Sequence, residues 1–131
     1  MGQFRDQFLG SGDGITALDA HQFMLDHVRR QFPLMTVGTL STFLFIGRRW
    51  RGEPTTPTEI AERKGIPLPT VFRQCDQLSR GVAGRNAMGL IEKVPSAKDG
   101  RARALRPTLK GIQLLIEIND ILTPSDNEEV G

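Results

Sequence analysis

The stretch Thr56-Pro57-Thr58-Glu59-Ile60-Ala61-Glu62-Arg63-Lys64-Gly65 constrains this chain more than any other. Thr56 can cap a helix, and Glu59, three residues on, can reach back to the cap's amide. Pro57 takes the first helical position, where its missing N–H costs nothing. The pattern predicts a short helix over Pro57 to Lys64 that buries Ile60 and Ala61. It stops at Gly65, a residue suited to the left-handed turn that closes helices. Ile66-Pro67-Leu68-Pro69 then makes a turn, and a second helix is expected from Leu68 to about Arg80. Two helices joined by a turn this short are a helix-turn-helix.

The second helix divides into faces. Val71, Cys75 and Leu78 fall at i, i+4 and i+7, which predicts a stripe turned to the core. The opposite side carries Pro69, Thr70, Arg73, Asp76, Gln77 and Arg80. Such side chains read base edges in a major groove: Arg pairs with guanine, Gln with adenine, Thr with either. On a lone helix the same pattern would describe a solvated face. The rest of the chain decides between the two.

Leu90-Ile91-Glu92-Lys93-Val94 is short and β-compatible, and Ala104-Leu105-Arg106-Pro107 can pair with it. The loop between them contains Asp99-Gly100, so a β-hairpin is expected. Its tip is studded with Lys98, Arg101 and Arg103. A cationic, small-residued tip can lie against or inside a minor groove, where phosphates concentrate negative potential. Thr108 caps a further helix from Leu109. The order helix, turn, helix, basic hairpin, helix predicts a mainly α fold with a small β-hairpin, a winged helix-turn-helix.

Several of these segments carry a family resemblance. Glu59-Ile60-Ala61-Glu62-Arg63, Thr70-Val71, Asp76-Gln77-Leu78, Gly89-Leu90-Ile91-Glu92-Lys93, Asp99-Gly100-Arg101-Ala102-Arg103 and Thr108-Leu109-Lys110-Gly111 resemble the MarR family of transcriptional regulators. The resemblance runs from about Thr36 to Gly111. It rests most firmly on the Asp-x-Arg of the wing, here Asp99 and Arg101, and on the Thr-x-Lys-Gly that follows. It implies that Arg101 enters the minor groove and that Asp99 holds it in place. Pro67 stands where the family usually has Ser, and about eight residues near Gly81 to Met88 are inserted between recognition helix and wing.

Charge supports the same conclusion. The net charge is only +2, but Arg48 to Lys110 holds 14 of the 17 Lys and Arg and 6 of the 15 Asp and Glu. A basic centre between acidic ends is the footprint of a nucleic-acid site. Simple solubility would not need it.

The flanking segments predict packing and assembly. Residues 1–14 are expected to be a flexible arm whose Phe4, Phe8 and Leu9 could dock on a protein partner. Thr16 to Phe32 is expected to be a helix capped by Thr16, with Ala20, Phe23, Met24, His27, Val28 and Phe32 as its apolar stripe. His21 and His27 are read as packing or surface residues. Pro33 leads into a second helix, to about Trp50, too apolar all round for a surface position and so the spine of the domain. The basic run Arg48-Arg49-Trp50-Arg51 at its end suits the helix macrodipole and could also touch phosphate. The helix after the wing carries Ile112, Leu114, Leu115, Ile116, Ile118, Ile121 and Leu122. One small domain cannot cover all of these, which points to a homodimer through this helix and Thr16 to Phe32. Residues 124–131 are expected to be an acidic, disordered tail, leaving 15–123 as the folded domain.

No apolar run approaches the ~20 residues of a membrane span, and no secretory segment opens the chain; a cytoplasmic protein without a membrane partner is expected. One cysteine excludes an internal disulfide, and with two histidines it makes no zinc cluster. Cys75 lies in the core stripe, where an inert small side chain is wanted. Gly81-x-x-Gly84-Arg85 lacks the Gly-Lys-Ser/Thr of a phosphate loop. No catalytic set and no cofactor is expected. The chain reads as a dimeric, sequence-specific regulator of double-stranded DNA, most simply a repressor. In that reading Arg73, Gln77 and Thr70 read bases, Arg63, Lys64 and Lys98 contact the backbone, and Arg101 and Arg103 hold the minor groove or its phosphates. The alternatives are a winged-helix module that binds protein and a DNA-handling protein of replication or partition.

Overall fold

The computed structural model describes residues 12–79, 88–96 and 103–123. The elements are α1 (Gly12–Gln31), α2 (Val37–Gly47), α3 (Pro57–Lys64), α4 (Leu68–Leu78), β1 (Ile91–Pro95), β2 (Arg103–Pro107) and α5 (Leu109–Leu122). They fall into two compact units, one holding the described residues 12–33 and 116–123, the other those between 34 and 115. The arm up to residue 11, the inserted segment 80–87, the wing tip 97–102 and the tail from residue 124 lie outside the described residues.

In the larger unit, local chemistry sets the helix ends. Thr36 Oγ1 accepts from the Thr39 N–H to start α2, and Thr56 Oγ1 accepts from the Glu59 N–H to start α3. Gly65 closes α3 at φ 66°, the left-handed region open to glycine. The capping box expected at Thr56 is half made, because the Glu59 carboxylate turns to Arg49. An ion pair with a neighbouring guanidinium outcompetes a hydrogen bond to one backbone amide.

α2 is the spine, with Leu40, Phe43 and Ile46 buried. It packs on α4 and β2, and α3 packs on the same two elements. α2 ends at Gly47 rather than near Trp50. The chain tightens there, with Arg49 N–H bonding to Ile46 O and Trp50 N–H to Gly47 O, each spanning three residues. α4 likewise stops at Leu78 instead of Arg80. The Ser79 hydroxyl takes the Cys75 carbonyl and leaves the helical path at ψ −99°.

The hairpin pairs antiparallel, with Ile91 opposite Pro107 and Pro95 opposite Arg103. Thr55 adds a one-residue strand on the far side of β2, where Leu105 N–H bonds to Thr55 O at 2.7 Å. No periodicity announces a strand of one residue. Thr108 then performs two tasks. Its Oγ1 accepts from the Gly111 N–H to start α5, and donates to Gly89 O at 2.6 Å. Its N–H bonds to Leu90 O, so the base of the wing and the start of α5 are one hydrogen-bonded junction.

In the smaller unit, α1 buries Met24 and Val28, Phe32 continues the run at spacing four just past its end, and the end of α5 buries Ile118. His27 Nε2 meets Glu117 Oε1 at 2.7 Å, beside Gln31, which makes His27 a packing residue. Two expectations need correction. α1 begins at Gly12, so Thr16 lies in its second turn rather than at its cap; once a helix has nucleated, adding residues at its end costs little. Phe23 is 56% exposed, because the stripe of α1 that is buried among the described residues is narrow, Met24 and Val28 at spacing four. Leu18, Leu25 and Ile116 are also exposed, and with Phe23 they are apolar surface that the described residues leave uncovered.

Candidate nucleic-acid interface

α4 organises the site. Its inner stripe, Val71, Cys75 and Leu78, is buried to 1% or less. One flank is fastened to α2, where Thr42 Oγ1 donates to Gln74 Oε1 at 2.5 Å and Thr39 Oγ1 donates to Gln77 Oε1 at 3.1 Å. Thr39 in turn accepts from Thr36 Oγ1 at 3.0 Å, so the cap of α2 and the flank of α4 share one chain of hydroxyls. Gly38 faces the same contact, since a Cβ there would stand 3.1 Å from Gln74 Nε2. These bonds fix the rotation of α4 about its own axis.

The rest of the helix surface is open. Pro69, Phe72 and Arg73 are exposed and Thr70 is half-buried. Asp76 is drawn to Lys93 on β1, 3.4 Å away. Among the described residues Arg73 takes part in no ion pair, so its guanidinium fork is available. Pro67 occupies the cap position without a side-chain hydrogen bond, leaving the positive pole of the helix uncompensated.

The other sequence-derived candidates divide three ways. Arg103 is exposed at the end of β2, opposite Pro95. Arg63 is 64% exposed and lies 3.7 Å from Glu59, while Lys64 turns back to donate to Ser41 on α2. Gln77 keeps its amide nitrogen but has committed its oxygen to Thr39. Arg80, Lys98, Asp99 and Arg101 lie outside the described residues. The basic run after α2 is partly held. Arg49 stacks on Phe45 at 5.5 Å and pairs with Glu59, and Arg51 stacks on Trp50 at 4.5 Å. Arg48 remains exposed. A polar cleft of about 580 Å³ opens between Arg49, Glu53, Thr56, Glu59, Arg63 and Ser96. The Arg49–Glu59–Arg63 arrangement was not foreseen. Its signal in the sequence is the i, i+4 spacing of Glu59 and Arg63.

Nothing in the described residues forms a metal centre, since no group of three His, Cys, Asp or Glu side chains converges. No helix among the described residues is long and apolar enough to cross a membrane. Cys75 is buried, and that burial pushes its thiol up to about 11; Lys93 opposes the shift and Asp76 adds to it. The thiolate is the reactive form, so alkylation of the native protein at pH 7.5 is expected to be negligible and to become rapid in denaturant. The same shift carries a pH dependence. The folded state holds the thiol proton more tightly than the unfolded chain, so this contribution to stability is complete below about pH 9. It is lost as pH rises from 9 toward 11. Labelling at equal rates in native buffer and in denaturant would show that Cys75 is not buried as described.

No protein-family model matches the chain, and no curated protein matches it. Its fold has solved counterparts. A DNA complex of MepR from S. aureus superposes with a TM-score of 0.63 at 23% identity, over 86% of this chain and 82% of that one. The transcriptional repressor CouR, bound to a 23-mer DNA duplex, gives 0.56 at 24% identity, over 93% and 78%. Wild-type MarR of E. coli in its apo form gives 0.58 at 15% identity, over 93% and 89%. At these identities what is shared is the fold, the winged helix-turn-helix of MarR-type repressors.

Proposed function

With the MarR-type winged helix as premise, we propose that this chain is a dimeric, sequence-specific binder of double-stranded DNA that acts as a transcriptional repressor. α4 enters the major groove, and the wing beyond β1 and β2 reaches the adjacent minor groove. The single observation that carries this reading is the rotation of α4. Its bonds to Thr39 and Thr42 turn Gln74 and Gln77 inward and leave Arg73 outward, with no ion pair of its own among the described residues. MepR, CouR and the FabT of Streptococcus pneumoniae are seen on DNA in the same fold.

Arg73 and Thr70 are the base readers, with Pro69 beside them setting the helix start. Gln77 contributes its amide nitrogen alone. Arg63, Arg103 and the uncapped end of α4 serve phosphates, as do Arg80 and Lys98, and Lys64 only through the N–H groups that its bond to Ser41 leaves over. Arg101, oriented by Asp99, takes the minor groove. The second copy joins through the apolar residues left open in the smaller unit, Leu18, Phe23, Leu25 and Ile116, and the two recognition helices then meet half-sites about one DNA turn apart. The protein is read as a non-enzyme of the cytoplasm that needs no cofactor; a protein partner for the N-terminal arm belongs to the same proposal.

Retention on random duplex DNA tests the reading most directly. Neutralising about six or more phosphates makes affinity fall ~10³-fold or more between 50 and 200 mM salt. A purified protein that ignores duplex DNA at 50 mM salt would refute it. Selection from a random duplex pool should then return a site with two-fold symmetry.

A further inference from the structure

Phe72 is the one exposed residue of α4 that the proposed contacts leave unused. It is 48% exposed, immediately before Arg73 and one turn ahead of Asp76, which pairs with Lys93 on β1. A phenyl ring is a costly thing to hold in water, and here Pro69 lies one turn before it and the charged Arg73 and Asp76 follow it. That setting decides what it can meet. A docking surface for protein needs a contiguous apolar patch of a few hundred Å², and the open face of α4 offers Pro69, Phe72 and Arg73 instead. Within a major groove the one apolar feature of a base-pair edge is the C5 methyl of thymine, and phenylalanine is among the side chains that pack on it.

We infer that Phe72 is a specificity-determining residue that packs on a thymine methyl beside the base read by Arg73. The inference rests on the DNA-binding reading above. The two residues are consecutive, so their Cα atoms are about 3.8 Å apart, comparable with the ~3.4 Å step between base pairs. The thymine therefore stands within about two base pairs of the guanine that pairs with Arg73. The half-site has one hydrogen-bonded and one apolar reading position side by side. Gln77, with its oxygen held by Thr39, does not supply the second one.

The test replaces thymine by uracil in the sequence recovered from a random pool, one position at a time. Uracil removes the methyl and leaves every hydrogen-bonding group in place. At one thymine per half-site, within two base pairs of the Arg73-dependent position, wild-type affinity is expected to fall about fourfold, the worth of one buried methyl group. Phe72→Ala should bind the thymine and uracil sites equally, with a melting temperature within a few degrees of wild type, since about half of the side chain it loses is already exposed. Wild-type protein indifferent to every thymine-to-uracil change overturns the inference, as does a Phe72→Ala protein that still discriminates. Both leave DNA binding standing. Failure to bind any duplex removes the DNA reading and this inference with it, and assigns Phe72 to a protein-facing surface.

Discussion

Gly111→Ala is expected to destabilise the protein by about 3 kcal/mol, at the upper end of the usual range for an overpacked site, and to lower its melting temperature by roughly 10 °C. The sign is the informative part. In the first turn of α5, alanine should be better than glycine by about 1 kcal/mol on helix propensity. Tertiary contact reverses this. A Cβ at Gly111 would overlap the carbonyl oxygen of Leu90 and stand 3.2 Å from Pro107 Cβ. That carbonyl cannot step aside, because it accepts the Thr108 N–H at 3.0 Å, while Thr108 Oγ1 holds Gly89 O and caps the Gly111 N–H. Relief would require pulling α5 away from the base of the wing. Gly52→Ala is the control, since a Cβ there meets nothing within 4 Å. Thermal melts of both variants decide the matter, and a Gly111→Ala protein as stable as the wild type would show that α5 does not seat on Leu90.

Arg73→Ala is expected to cost about 1–3 kcal/mol per half-site on the selected DNA sequence, and to relax preference at one base pair. On unrelated duplexes the loss should be far smaller. Arg73→Lys separates the two roles an arginine can play. Lysine keeps the charge but loses the planar fork that fits guanine, so the salt dependence of binding should persist while base preference falls as it does in Arg73→Ala. Titration of each variant against the selected site, and against the same site with the guanine replaced, is the measurement. A uniform loss on every sequence would make Arg73 a phosphate contact and leave recognition to Thr70 and Phe72.

How much of this was legible from residues alone depends on the range of the interaction that decides each feature. α3 matched its expected bounds at both ends, because Thr56, Pro57 and Gly65 act on their own neighbours. The stripe Val71, Cys75 and Leu78 is buried as expected, since a helical repeat marks its own inner face. Thr108 caps α5, with Gly111 receiving the cap. The failures have a different origin. Thr16 looked like a cap and sits inside α1. Phe23 matched the apolar stripe and is exposed, because a repeat shows which residues share a face but not how wide a neighbour will cover it. Thr55 carries a strand of a single residue, legible only when Leu105 is beside it.

The fold of this protein follows from caps, breakers and apolar spacing between Thr36 and Gly111, interactions that reach no more than about two helical turns along the chain and can be read in order. The inventory of the DNA-facing surface does not follow from them. Gln77 and Lys64 have the right chemistry for base and phosphate, yet Thr39 and Ser41 on α2 claim them, partners 38 and 23 residues away. A helical repeat places side chains relative to their own axis and is silent about which other helix lies alongside. Only the packing of α4 against α2 decided that Arg73 and Phe72 stay open.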